Sequence, residues 1–225
     1  MLEPLYQTKN TCLVCEREFT TSRVRSSFKR PVRTESDFYM VFKEINPDYY
    51  VVAVCPSCGY ASTENFHPQL APVHRAALQE KVGRNWSFRD YGGSRTWEDA
   101  LATYKLALVC AQAKQEKDRV IAGLLHHIAW LYREKEDHAQ EQRFLAFAMQ
   151  AYLSVYEREG GSVNNARLMY LLGELNRRLG RYSEAVQWFS RVVNDKSIMD
   201  AAMIRTSRDQ WEVTRQDMAA KAEEA

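Results

Sequence analysis

Apolar and polar positions divide the chain into two parts with different periods. From Trp97 onward, Ala and Leu recur at helical spacing among Glu, Arg and Gln. The pattern predicts helices over 97–114, 117–135, 138–158, 162–179, 182–194 and 198–220. Gly160-Gly161 and Gly180 are the clearest breaks, and Gly180 stands where a C-cap glycine belongs. Before residue 70 the runs are short and β-like. DFYMVFK at 37–43 and YYVVAV at 49–54 read as two strands around an INPD turn at 45–48, hence as a hairpin. A transitional stretch over 71–95 holds Pro72, a short helix over 76–82 and a Gly92-Gly93 loop. The expected class is α+β: a small N-terminal β domain over 1–70, a linking or packing segment over 71–95, and an antiparallel helical array with a C-terminal capping helix over 96–225.

One stretch of the array, residues 166–199, has a finer pattern. Met169, Leu172 and Gly173 are followed by Leu179-Gly180, Tyr182, Ala185 and Phe189. This resembles the tetratricopeptide repeat, with small residues where paired helices cross. It departs at Asn176, where the repeat has an aromatic residue, and it ends at Met199 without a nearby proline. Leu125, Ile128, Ala129, Tyr132, Leu145 and Ala148 outline a degenerate unit, with Glu141 at a position that is usually small. The step from Ala129 to Gly173 exceeds the usual period of about 34 residues. The resemblance implies a concave wall formed by His126, Trp130, Arg133 and Glu134 in one unit and by Tyr170, Glu174, Arg177 and Arg178 in the next. Such a Trp–Arg–Tyr–Arg wall suits an acidic peptide or helix. The competing expectation is that the chain covers this wall itself, with Ile204, Trp211 and Met218 on the last helix as the cap.

Composition adds mainly exclusions. With 45% hydrophobic and 27% charged residues the chain is not a disordered type. No apolar run approaches the roughly 20 residues of a membrane helix, and MLEPLYQTKN lacks the apolar core of a secretory signal. A cytoplasmic protein without membrane partners is expected. The formal net charge of +2 gives no general support to nucleic-acid binding.

The cysteines carry the strongest chemical signal. Cys12-x-x-Cys15 and Cys55-x-x-Cys58 are two close pairs of soft ligands, and a C-x-x-C turn can aim both sulfurs at one ion. The expected site is one structural zinc in a zinc-ribbon-like domain, with the hairpin returning the second pair to the first. Glycine at 59 fits a turn after that pair. The alternative is a thiol redox protein, but CLVC has no clear strand before it. Cys110 lies on a helix and reads as a small buried apolar residue. His67 and His74 are not needed as ligands.

Between the pairs, EREFTTSRVRSSFKRPVR is basic and aromatic. Arg23, Arg25, Lys29 and Arg30 are its candidate phosphate contacts, in a nucleic-acid-associated regulator. No catalytic constellation is found. His126 and His127 are adjacent and so point apart on a helix. Gly92-Gly93 lacks the following Lys-Ser or Lys-Thr of a phosphate loop.

Taken together, Cys12, Cys15, Asp37, Tyr39, Asn46-Pro47, Tyr50 and CPSCGYA at 55–61 resemble a bacterial family of unknown function, found widely in Firmicutes and relatives. Its members couple a double C-x-x-C domain to tetratricopeptide-like helices. The resemblance implies an architecture and no reaction. The expected function is a non-enzymatic interaction or scaffold module, with a protein, a peptide or a second copy of the chain as partner.

Overall fold

The computed structural model describes residues 2–159 and 165–223. Three two-stranded antiparallel hairpins precede the array. β1 (Leu5–Thr11) pairs with β2 (Glu18–Val24), β3 (Arg33–Thr34) with β4 (Met40–Val41), and β5 (Ala53–Val54) with β6 (Ala61–Ser62). Seven helices follow among the described residues: α1 (Pro72–Lys81), α2 (Trp97–Lys114), α3 (Asp118–Glu134), α4 (His138–Glu159), α5 (Ala166–Arg178), α6 (Tyr182–Asn194) and α7 (Ala201–Glu223).

The two segments read as one hairpin do not pair with each other. Met40–Val41 pairs backward with Arg33–Thr34, and Ala53–Val54 pairs forward with Ala61–Ser62. Between them, residues 47–50 form a 3-10 turn with Pro47 at its start, and the Asn46 carboxamide accepts from the Asp48 amide at 3.0 Å. Proline at the first position and an Asn cap start a helical turn rather than a strand reversal. The aromatic residues of DFYMVFK are therefore apolar for burial among helices, not for a sheet. The first hairpin was missed for the converse reason: LYQTKNT is mostly polar and exposed, with only a weak alternation.

The helical expectations fall within a few residues of the observed bounds, except that Pro72 starts α1 earlier than the expected 76. The expected Gly160-Gly161 break, and residues 162–164 of the fourth predicted helix, lie outside the described residues. Thr96 and Asp99 form a reciprocal capping box on α2. Gly180 ends the α5 turn at φ +71°, as a C-cap glycine does.

Neighbouring helices in sequence pack on one another, α3 on α4, α5 on α6 and α6 on α7, and α7 also reaches α5. One apolar cluster runs from Cys12, Val14, Val52 and Val54 through Leu78 to Tyr104, Cys110, Ile128 and Leu131. It crosses from the hairpins into α1, α2 and α3. Arg95 pins the same boundary. It is buried and donates to the carbonyls of Tyr49, Val52 and Tyr91, and burial lowers its pKa to about 10.

At the α5–α6 crossing, a Cβ on Gly173 would lie 2.7 Å from Cε1 of the buried Phe189. Alanine is about 1 kcal/mol better than glycine inside a helix, while overpacking costs about 1–3 kcal/mol. Gly173→Ala is therefore expected to lower the midpoint of denaturant unfolding at unchanged slope. A raised midpoint would show that the helices do not meet at this residue.

Candidate functional site

The four cysteines sit at the tips of two hairpins built alike. At the β1–β2 tip, the Cys12 amide donates to the Arg17 carbonyl (3.0 Å) and the Glu16 amide to the Cys12 carbonyl (2.9 Å). At the β5–β6 tip, the Cys55 amide donates to Tyr60 and the Gly59 amide to Cys55, both at 2.9 Å. The residue four after the first cysteine is left-handed in each, Glu16 at φ +62° and Gly59 at φ +75°. Only the second needs glycine for space. A Cβ there would lie 2.5 Å from the Trp86 ring, whose indole N–H donates to the Pro56 carbonyl. Glu16 instead points outward and pairs with Arg75 at 3.4 Å.

These tips meet, and one sulfur of each cysteine lies within 4.8 Å of the other three. Two contacts run between hairpins, Cys12 with Cys58 at 3.5 Å and Cys15 with Cys55 at 3.6 Å. Four sulfurs about 2.3 Å from one ion would be about 3.8 Å apart in a tetrahedron. The cluster is thus suited to a single metal ion. Cys12 and Cys55 are buried, whereas Cys15 and Cys58 are partly exposed. Among the thiols alone, the Cys58 hydrogen bond draws the Cys12 thiol down to about 5, against its burial. Burial pushes Cys55 up to about 11. Cys110 stands outside the cluster, with its thiol pushed up to about 12 by burial and accepting from the Ala61 amide at 3.4 Å. His67 and His74 are not among the clustered donors.

The second constellation was only half visible in sequence. The wall residues converge on Glu35, Ser36 and Asp37 of the β3–β4 loop. Asp37 is fully buried. It accepts from both Arg133 terminal nitrogens (3.1 and 2.7 Å) and from the Trp130 indole (3.0 Å), with His126 Nε2 at 3.4 Å and Arg178 also at 3.4 Å. Burial alone would raise its pKa, but His126, Arg133 and Arg178 overcome that and hold the carboxyl well below the usual carboxylate range. Glu35 accepts from Arg133 and Arg178 at 2.9 and 3.1 Å. The Ser36 hydroxyl donates to Glu174 at 2.6 Å, and the Tyr170 hydroxyl donates to the Ser36 carbonyl at 2.7 Å.

Next along the chain, Phe38 packs on the Tyr170 ring under Arg167, and Tyr39 on the Trp130 ring under Arg133. Phe38 takes φ +69°, which costs a non-glycine residue roughly 1–3 kcal/mol and holds only where its surroundings demand it. Glu134 accepts from Asn46 and Tyr49. Arg177 pairs with Glu174 and, at 2.8 Å, with Asp217 of α7. Glu141, unusual for a small-residue position, accepts from Arg133 at 2.6 Å. Trp211 packs near Tyr170 and Phe189, while Met218 is partly exposed.

Sequence reasoning named the wall but not what sits against it. The signal was there: ESDFY is an acidic and aromatic complement to that wall. Of the basic stretch, Arg23 donates to the Tyr50 and Val51 carbonyls, and Arg25 donates to the Glu3 carbonyl. Lys29 and Arg30 are exposed. No helix among the described residues is long and apolar enough to cross a membrane.

A family model described as "Uncharacterized protein conserved in bacteria (DUF2225)" matches residues 5–214, and the chain belongs to that family. No curated protein matches the chain. Most residues behind the resemblance noted above map onto the two constellations: the cysteines make the cluster, Asp37, Tyr39 and Asn46 meet α3, and the Tyr50 hydroxyl accepts from the Arg95 amide outside both.

Two outcomes test this geometry. Removing one partner of a buried charge network costs about 3–5 kcal/mol, so Asp37→Asn should destabilise the chain by that order at pH 7. The depressed carboxyl stabilises fully above its unfolded value of about 3.9 and loses that contribution as pH falls through the folded value. Asp37→Asn should therefore flatten the stability profile below about pH 4. An unchanged profile would remove Asp37 from the clamp. Separately, Cys55→Ser should lose the bound metal and lower the unfolding temperature, and a chelator should do the same to the wild-type chain. Insensitivity to both would leave the sulfurs without a metal role.

Proposed function

We propose that this family member is a non-enzymatic interaction or scaffold module held by one structural zinc ion. Four thiolates at tetrahedral spacing suit zinc, and a site closed by four protein sulfurs leaves no ligand position for water or substrate. The thiols also approach between hairpins, Cys12 to Cys58 and Cys15 to Cys55, so that all four converge on one point, which favours a shared ion over a redox couple confined to one C-x-x-C. Zinc then ties β1–β2 to β5–β6, and the apolar cluster carries that constraint into the helices.

The single observation that carries the interaction reading is the wall of α3 and α5 grasping an acidic stretch of chain mainly by its side chains. Helices arranged in this tetratricopeptide-like way present a surface able to hold a protein segment. The divisions at 70 and 95 are taken as a division of labour, the hairpins as metal-stabilised base and the helices as docking surface. A reducing, cytoplasmic setting fits free thiols on a metal.

Native mass spectrometry of the protein isolated gently from its host tests the reading. One zinc per chain with a reproducible co-isolated protein, or a dimer mass, is expected. A metal-free monomer carrying two disulfides would overturn it in favour of a thiol redox role, and a salt-sensitive nucleic-acid adduct in favour of the Lys29–Arg30 loop.

A further inference from the structure

Residues 35–39 lie in the helical array as a bound peptide would. Five consecutive residues are gripped from α3 and α5. Glu35 and Asp37 meet Arg133 and Arg178, Ser36 meets Tyr170 and Glu174, and the two aromatics lie on Tyr170 and Trp130. The loop's own attachments are local: β3 and β4 share two residue pairs, and backbone bonds from Val32 to Val41, Glu35 to Tyr39 and Phe38 to Glu35 close the hairpin, while residues 29–34 and 43–44 on either side are exposed.

We propose that this wall is a recognition site for turn-forming segments of the pattern acidic–Ser–Asp–aromatic–aromatic, that residues 35–39 are its tethered occupant, folded as a turn by the Phe38-to-Glu35 and Glu35-to-Tyr39 backbone bonds, and that a partner protein bearing the same chemistry in an unstructured stretch competes for it. The inference rests on the scaffold reading above and names the partner's chemistry.

Three features support it. Charge comes first. Among the described residues, Arg133 without Glu35 and Asp37 keeps Glu141 as its acid and Arg178 keeps Glu174, which Arg177 shares. An occupant that brings no acid leaves buried guanidinium groups underpaired, so the wall selects acidic segments. Second, specificity lies in side chains. The Tyr170 hydroxyl on the Ser36 carbonyl is a main-chain contact, but Asp37, Phe38 and Tyr39 are each met by side chains of the helices, Asp37 and Tyr39 by Trp130 and Arg133 and Phe38 by Tyr170 and Arg167. Third, the loop holds Phe38 at φ +69° to deliver both aromatics.

Tethering raises the local concentration of the resident segment to about the millimolar range, so a competitor's intrinsic affinity shows only once the resident is removed. The test uses a fluorescein-labelled peptide of residues 33–41, RTESDFYMV, on the full chain carrying Asp37→Ala, Phe38→Ala and Tyr39→Ala. The variant should bind saturably at micromolar concentration, at least about tenfold more tightly than wild type. A peptide with Asp37→Asn should lose most of that affinity, and adding Arg133→Ala to the protein should abolish it. A metal-loaded, helical variant that ignores the peptide, or fails to discriminate the Asn peptide, overturns the proposal.

Because that variant could fail to fold, a second measurement keeps all wild-type side chains. Protease sites inserted after Lys29 and after Lys43 are cut once the protein has folded. The freed fragment should stay bound and then exchange for labelled peptide. A fragment that does not exchange, or loss of helical signal on cutting, shows a structural strut and overturns the proposal. Either result speaks to this wall alone, whereas co-isolation reads partners on any surface.

Discussion

An ionised carboxylate taken fully out of water loses several kcal/mol of hydration unless charged and hydrogen-bonding groups replace it. Asp37 is in that position, and its replacements come from three turns of α3, at His126, Trp130 and Arg133, and from Arg178 at the end of α5. The geometry is demanding. Arg133 has to present both terminal nitrogens to Asp37 while its Nε holds Glu141 of α4. A shift of α3 would break the bidentate Arg133 pair, a shift of α4 the Glu141 contact and a shift of α5 the Arg178 contact, so the burial of one acid ties α3, α4 and α5 to the N-terminal loop.

The cysteine cluster is suited to a different problem. The hairpins are short, and β1 is largely polar. One ion held by four sulfurs would cross-link two hairpin tips and so replace missing apolar area, as in small metal-dependent folds. The two constraints communicate through the segment between them. Tyr49 reaches Glu134, Tyr50 receives the Arg95 amide, and Val52 to Cys55 run straight into the second cysteine tip. Cluster and clamp therefore bracket one continuous joint between hairpins and helices.

Local rules made much of this legible. The helices of the array follow from apolar spacing within a dozen residues. The cysteine pairs announce themselves by a two-residue gap, and Gly180 marks its own C-cap. Pairing between segments was not legible in the same way. Strands of two residues carry no period, and the polar β1 strand forms because β2 lies beside it. YYVVAV looked like a strand throughout, yet the Asn46-Pro47 cap turns its first residues into a helical turn.

The sequence alone determined which residues have the chemistry: four thiols paired for metal binding, and a set of Trp, Arg and Tyr residues complementary to an acidic segment. It even contained the complement, Glu35 to Tyr39. What only the tertiary structure decided is that this complement fills the wall from within. Asp37 and Arg133 are separated by 96 positions. Nothing local links them, because a desolvated ion pair exists only after the packing that removes the water. Spacing along the chain encodes turns and helices, whereas the burial that makes a charge pair decisive is a property of the assembled fold.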